Sequence, residues 1–334
     1  MSTQKRNPAL DILRVIAAIA VAVFHVFTSS AHNDSMITEH TRTIITAFTE
    51  ALRWHVPVFF MITGYLWLGS KKECEYKRIF LHIWRFIVVL FTVGFAYAIL
   101  ERFFSQRQLS LSLLAGGLLD VLNGNLWDHM WFLYSIIGVY LFLPVIKPLF
   151  ELPSAKNAAI LVGLLFIFTI IAPITEEMGY QIPISFPISE PAFYVCTGGL
   201  IAKVPFPNRK TGQITAALLA GSFAATFLIT VMFPSAAVIY PFLTCIAAVS
   251  MFITVICFTA SMDENKYLRI FSDCTFGIYL FHPFFINLMI KLLHIYPLRL
   301  YPPFGILFTC VVIIALSFLF TFVLRKFRWI RQYL

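Results

Sequence analysis

The chain has 334 residues, of which 60% are apolar and 12% are charged, and its formal net charge is +9. This composition is typical of a polytopic membrane protein and leaves no stretch for a separate soluble domain, so we expect residues 1–334 to form a single transmembrane domain. The basic residues fall in separate short loops without interleaved aromatic residues, which argues against a nucleic-acid partner. Because no CxxC or HxxxH pair is present, we expect no metal.

Ten apolar segments are predicted to cross the bilayer. They are 10–29, 44–69, 79–100, 130–149, 157–174, 189–203, 212–233, 236–260, 272–293 and 303–325. When lysines and arginines are assigned to alternating sides, 19 of the 25 fall on the side of both termini, which the positive-inside rule places in the cytoplasm. We therefore expect an all-α polytopic membrane protein with about ten transmembrane helices around a central cavity.

The first segment carries three ionisable residues, Asp11, Arg14 and His25. At 3.6 residues per turn, Arg14 and His25 leave the same face of a helix, roughly 16 Å apart along its axis, and Asp11 joins that face. Ionisable side chains within a bilayer are costly, which indicates a function. The alternative is that Asp11 and Arg14 mark the headgroup boundary and that His25 is a buried structural histidine.

The second segment carries Pro57 near its outer end and Gly64 near its middle, a combination that membrane helices tolerate beside a cavity. Arg53 and His55 lie just before Pro57. The alternative for Arg53 is a role as an interfacial anchor.

The basic loop that follows brings Arg78 and Arg85 onto one helical face, seven residues apart. Arginine forks suit phosphate groups, although the positive-inside rule alone also produces such loops. Arg85 lies about two turns inside its predicted span and needs a partner there. The chain closes with RKFRWIRQYL, a basic and aromatic tail that we expect to anchor to anionic headgroups.

Two later segments carry further candidates. The connection 101–129 has an apolar centre that predicts a re-entrant or interfacial helix, either a lid or simple packing, and it leads to His129 and Trp131 at the outer mouth of the fourth span. In the ninth span Tyr279 and His282 share a helical face, and a structural role for His282 is the alternative.

Four blocks of this sequence together resemble a known family. They are Arg14 and His25 separated by ten residues, RWHVPVFFMITGY at 53–65, DHMWFLY at 128–134 with Leu143 and Pro144, and TFGIYLFHP at 275–283. In this order they resemble the acyltransferase-3 family of integral-membrane O-acyltransferases. One departure is Thr63, where the family usually has serine. In its length, the chain resembles the stand-alone branch of this family, which includes the O-acetyltransferase acting on enterobacterial common antigen.

The resemblance implies transfer of an acyl group, usually acetyl, from cytoplasmic acyl-coenzyme A to a sugar of an envelope glycan or its lipid-linked precursor, in the bacterial inner membrane. His25 is the candidate base because a neutral imidazole accepts protons. The catalytic set is completed by Arg14 and Asp11, and acetyl-CoA binding is assigned to Arg14, Arg78 and Arg85. The candidate acceptor-binding residues are His129, Trp131, Arg53, His55, Tyr279 and His282.

Two other functions remain open. A polysaccharide or lipid-precursor exporter would use the same helices and intramembrane charges, whereas an ion-coupled transporter is disfavoured because the sequence has no detectable repeat. The lipid bilayer is the expected environment, and assembly as a homo-oligomer is left open.

Overall fold

The computed structural model describes residues 6–34, 36–71, 74–107, 110–151, 155–180, 190–204, 208–300 and 304–334. This part of the chain is helical and contains no strand, which confirms the predicted all-α class. In chain order the α-helices are α1 (Pro8–Asn33), α2 (Glu39–Leu52), α3 (His55–Trp67), α4 (Tyr76–Val89), α5 (Phe95–Gln106), α6 (Leu111–Asn123), α7 (Trp131–Glu151), α8 (Lys156–Phe166), α9 (Ala172–Glu177), α10 (Glu190–Ile201), α11 (Arg209–Met232), α12 (Tyr240–Thr259), α13 (Lys266–Asn287), α14 (Phe304–Leu324) and α15 (Arg328–Arg331).

Eight helical segments in the described residues are long and apolar enough to cross a membrane. They are Pro8–Asn33, Tyr76–Ser105, Asp128–Glu151, Lys156–Glu177, Arg209–Met232, Pro234–Thr259, Lys266–Leu292 and Phe304–Leu324. Several run through a short π-helical turn, as at Leu90–Gly94 between α4 and α5. The protein is therefore a polytopic membrane protein, while ten spans and cytoplasmic termini stay predictions.

Two of the ten predicted segments look different in the structure. The segment 44–69 is divided into α2 and α3, because the helix is interrupted at Arg53 and Trp54. The segment 189–203 contains the 12-residue α10, and residues 181–189 before it lie outside the described part. Neither α3 nor α10 reaches the length of about 20 residues that a simple span needs.

Helix α1 lies at the centre of the bundle, packed against α2, α3, α12, α13 and α14. The side chain of Asn7 caps its first turn by accepting a hydrogen bond from the backbone N–H of Ala9. Small residues between Arg14 and His25, namely Ala18, Val21 and Ala22, are buried. Small residues let neighbouring helices approach closely, so the other helices surround the face that carries the ionisable groups.

The C-terminal end of α3 is held by a buried lysine. Lys147, one turn before the end of α7, is 3% exposed, and its ammonium donates hydrogen bonds to the carbonyl oxygens of Trp67 at 3.0 Å and of Ser70. The Trp67 carbonyl belongs to the last turn of α3, whose carbonyls have no partner within the helix, and a cation is favourable at that end of the helix dipole. Lys147 therefore fixes how α3 ends against α7.

The predicted interfacial helix is α6, which is too short to span a membrane. It pairs with α5 through an ion pair in which Arg102 Nε lies 2.5 Å from Asp120 Oδ2. Tyr134 at the start of α7 donates a hydrogen bond to the carbonyl oxygen of Val121 at 2.5 Å. These contacts hold α6 as a packed element beside α7.

Candidate functional site

A cavity of about 1470 Å³ runs into the bundle along α1. It is lined by the N-cap Asn7 and by Leu10, Arg14 and Val21 of α1, which together span roughly 21 Å at 1.5 Å per residue. Its lining also includes Phe59 on α3, Phe132 on α7 and Tyr279 on α13. The expected central cavity is therefore present, with polar groups near the start of α1 and aromatic rings further along.

The polar end of the cavity is rich in arginine. The three predicted arginines, Arg14, Arg78 and Arg85, all line it. Four more were not predicted and line it as well: Arg6, Arg269, Arg325 and Arg331. Only two acidic residues, Glu264 and Asp273, appear among the described lining residues, so this end is strongly cationic.

Part of the C-terminal tail, which was predicted to anchor to lipid headgroups, turns toward the cavity. Arg331 and Leu334 line the cavity, and the backbone carbonyls of Tyr333 and Leu334 accept hydrogen bonds from Arg85 Nε at 2.9 Å and Arg325 Nη1 at 2.7 Å. These backbone contacts depend on tertiary structure, so the sequence carried no signal for them. The tail folds back because buried guanidinium groups need acceptors.

Asp11 is the hub of a polar network at the start of α1. Its buried carboxylate accepts hydrogen bonds from Arg14 Nη1 at 3.0 Å, from Arg6 Nε at 2.7 Å and from Ser272 Oγ at 2.8 Å. Arg6 also lies 2.8 Å from Asp273. The predicted contact between Asp11 and Arg14 is confirmed. Asp11 is not among the lining residues, so its place is behind Arg14, which it orients.

Arg78 and Arg85 are held by aromatic faces. The guanidinium of Arg78 lies 5.0 Å from the ring centroid of Trp67, and that of Arg85 lies 5.0 Å from the ring of Phe276. A guanidinium over an aromatic face keeps its in-plane N–H donors for other partners. Both side chains are therefore held in place at the cavity wall, and they keep guanidinium N–H groups that can still donate hydrogen bonds.

Three histidines from distant parts of the chain meet beyond the aromatic end of the cavity. The ring of His25 lies 5.1 Å from that of His282 and 6.4 Å from that of His129, measured between centroids, and the latter two are 5.7 Å apart. They come from α1, α13 and the 3₁₀ turn Asp128–Met130 before α7. We refer to His25, His129 and His282 as the histidine cluster.

Tyr279 joins the cavity to the histidine cluster. It lines the cavity, its hydroxyl donates a hydrogen bond to the carbonyl oxygen of His129, and its ring lies 6.4 Å from that of His282. His25 itself is not among the lining residues, because it lies one turn beyond Val21 on α1. Arg14 therefore lies at the polar end of the cavity, and His25 lies just beyond its aromatic end.

The predicted position of His129 at the outer mouth is wrong, whereas that of Trp131 stays a prediction. His129 is 4% exposed and lies inside the bundle, whereas Trp131 is 51% exposed and its ring packs at the edge of Phe132. Neighbouring residues at a helix start point in different directions, so burial of His129 and Met130 turns Trp131 outward. The structure does not bring Trp131 to the cluster.

Arg53 and His55 lie at the break between α2 and α3. Arg53 forms two hydrogen bonds with the Glu50 carboxylate, at 2.6 and 2.7 Å, and lies 5.8 Å from the Phe24 ring. His55 is buried, and its Nδ1 donates to the Leu52 carbonyl at 2.5 Å, closing the last turn of α2. Both are therefore engaged in holding this break beside α1.

No group of three or more His, Cys, Asp or Glu side chains in the described ranges has the geometry to hold a metal ion.

Comparison with known proteins gives one result. Neither a curated protein nor a solved structure matches the chain significantly. Residues 7–322, nearly the whole chain, match the family model Acyl_transf_3, described as an acyltransferase domain. The matched range contains the histidine cluster and four of the seven cavity arginines, Arg14, Arg78, Arg85 and Arg269, and the protein is a member of this acyltransferase family.

Proposed function

We propose that the protein is a membrane O-acyltransferase that moves an acyl group, with acetyl as the first candidate, from cytoplasmic acyl-CoA to a hydroxyl of a cell-envelope glycan or lipid-linked sugar. Family membership supports acyl transfer. The observation that carries the finer proposal is the cavity, which has seven arginines at one end and reaches Tyr279 beside the histidine cluster at the other.

The arginine end fits the phosphates of a coenzyme A thioester. That molecule carries a pyrophosphate and a ribose phosphate, and guanidinium groups bind such oxygens through paired, charge-assisted hydrogen bonds. Arg14, Arg78 and Arg85 enter from α1 and α4, and Arg325 and Arg331 enter from the C-terminal segment that follows α14. Cationic groups from several elements suit a ligand that carries more than one phosphate.

The aromatic end of the cavity fits the thioester and its acceptor. Arg14 and His25 are separated by roughly 16 Å along α1, so phosphates near Arg14 leave the thioester arm to extend toward His25. His25 accepts the proton of the sugar hydroxyl as its oxygen bonds to the carbonyl carbon, and then returns that proton to the departing sulfur. The carbon–sulfur bond breaks as the carbon–oxygen bond forms, so no net proton is consumed.

The test is the acyl content of envelope glycans in cells with and without this gene. We expect one acetyl mass per modified sugar, present with the wild-type protein and lost with His25→Ala. His32→Ala is the matched control, because His32 is an exposed histidine in the last turn of the same helix. A normal acyl profile with His25→Ala would overturn the proposal.

The same measurement separates transfer from export. An exporter would change the amount of surface glycan and leave its acyl profile unchanged. Purified protein in nanodiscs adds a direct assay, in which release of the coenzyme A thiol from acetyl-CoA should require His25.

A further inference from the structure

The hydrogen bonds of His282 define which of its ring nitrogens carries the proton. His282 is fully buried, and its Nδ1 lies 2.9 Å from the carbonyl oxygen of Ile278 one turn earlier on α13. A carbonyl only accepts, so Nδ1 carries the hydrogen and donates it. In the neutral ring the other nitrogen, Nε2, then presents a lone pair.

That lone pair has no hydrogen-bond partner among the described residues, and neither does Nε2 of His129. A buried polar atom without a partner is unfavourable, and at functional sites such atoms are typically completed by a ligand or a moving group. The imidazole nearest to His282 is that of His25, with the rings 5.1 Å apart and tilted by 43°. A neutral His25 carries one N–H, which is the kind of donor that Nε2 of His282 lacks.

We propose that His282 is a positioning residue for His25, and this inference rests on the proposed function. When substrates are bound, Nε2 of His282 accepts a hydrogen bond from one ring N–H of His25. The tautomer of His25 is thereby selected, and its second nitrogen is left as the base that faces the hydroxyl. Hydrogen bonds of this kind are often long in ligand-free enzymes and shorten when the substrate binds.

The proposed arrangement resembles other base-and-orienter pairs, with a neutral imidazole in the place of a carboxylate. A neutral orienter suits this location, because an unpaired carboxylate would be costly among buried aromatic rings. His282 keeps its Nδ1 proton throughout, bound to Ile278. The proton of the hydroxyl passes only to His25 and then to the thiolate.

Two substitutions distinguish the roles of the two ring nitrogens of His282. His282→Asn places an amide N–H where Nδ1 is and keeps the hydrogen bond to Ile278, but it removes the acceptor at Nε2. His282→Gln places an amide oxygen where Nε2 is and gives up the contact with Ile278. A positioning role predicts that Gln retains more activity than Asn, whereas a structural role predicts the reverse.

The assay is thiol release from acetyl-CoA by the protein in nanodiscs, with total lipid-linked sugars from the host membrane as acceptor. For His282→Asn we expect kcat to fall on the order of 10- to 100-fold with the KM for acetyl-CoA unchanged, and His282→Gln to recover much of that loss. In the His25→Ala background, His282→Asn should cause no further loss. Asn at the wild-type rate, or Gln no better than Asn, would overturn the inference.

A second readout does not need turnover. Long-range proton–nitrogen spectra of histidine-labelled protein report the tautomer of each ring, and the spectrum of His25→Ala assigns the signals of His25. With coenzyme A bound, we expect a single His25 tautomer in the wild type and a mixture in His282→Asn. Identical tautomer populations would contradict the inference. Thiol release that is independent of His25 would instead contradict the proposed function.

Discussion

Gly64 on α3 and Gly198 on α10 form a reciprocal backbone contact. A Cβ atom on Gly64 would overlap the carbonyl oxygen of Val195 on α10, and one on Gly198 would overlap the carbonyl oxygen of Met61 on α3. The two short helices therefore touch through their main chains at two points. Because α3 forms part of the cavity wall, this contact also defines the position of Phe59 and Tyr65.

We expect Gly198→Ala to destabilise the protein by about 1–3 kcal/mol or more, because neither backbone can move aside without repacking. Thermal unfolding in detergent, followed by size-exclusion chromatography, measures the loss. The control is Gly221→Ala on α11, where an added Cβ meets no atom within 4 Å and alanine favours the helix. Equal melting temperatures for the wild type and Gly198→Ala would contradict this contact.

Replacing an arginine that the sequence did not predict tests the polar end of the cavity. For Arg331→Gln we expect the KM for acetyl-CoA to rise about 10- to 100-fold with little change in kcat, since a charge-assisted hydrogen bond contributes about 1.5–3 kcal/mol. The effect should shrink as salt is added. Arg328→Gln is the control, because Arg328 lies on the same short helix and does not line this cavity. Equal KM values for the two variants would show that Arg331 does not contribute to binding of acetyl-CoA.

The ion pair between Asp34 and Arg299 predicts a pH dependence of stability. The Asp34 carboxylate accepts hydrogen bonds from Arg299 Nη2 at 2.7 Å and Nε at 3.0 Å, and these contacts hold the Asp34 pKa below its ordinary value of 3.8. The unfolded chain therefore binds this proton at a higher pH than the folded chain does. The contribution of the pair is complete above the unfolded pKa and is lost as the pH falls through the folded pKa.

Thermal unfolding between pH 6 and pH 3 measures this contribution, and Asp34→Asn should flatten the dependence at the acidic end. Arg299→Gln should also lower the melting temperature at neutral pH, because a buried carboxylate then loses its partner. If the melting temperature of Asp34→Asn fell at acidic pH as much as that of the wild type, the pH dependence would come from other carboxylates.

Removal of the buried ammonium at Lys147 tests the end of α3. We expect Lys147→Met to destabilise the protein by about 1–3 kcal/mol, because the carbonyls of Trp67 and Ser70 lose a donor in a buried setting. Lys266→Met is the control, since Lys266 is exposed at the start of α13. Similar melting temperatures in the two variants would show that the ammonium contributes no net stability.

Local pattern predicted the parts of the site that lie within one helix. The spacing of Asp11 and Arg14 places them on one face, and the two residues form the expected hydrogen bond. Helical periodicity likewise brought Arg78 and Arg85 to the same cavity wall. Such predictions succeed because the geometry of a helix follows from hydrogen bonds between residues close in sequence.

Contacts between different helices could not be predicted from helical spacing. Spacing alone did not indicate that His282 lies beside His25, that His129 is buried while Trp131 faces outward, or that Tyr333 accepts a hydrogen bond from Arg85. Each of these depends on how separate helices pack and on which way an end of the chain turns.

By itself the sequence determined that this is a helical membrane protein, that its opening helix carries costly ionisable groups on one face, and that a family resemblance extends along the chain. Only the tertiary structure decided which side chains share the cavity and which meet around His25. The physical reason is that the periodicity of a sequence shows which face of a helix is buried but not which helix covers it. A site depends on which helices pack together.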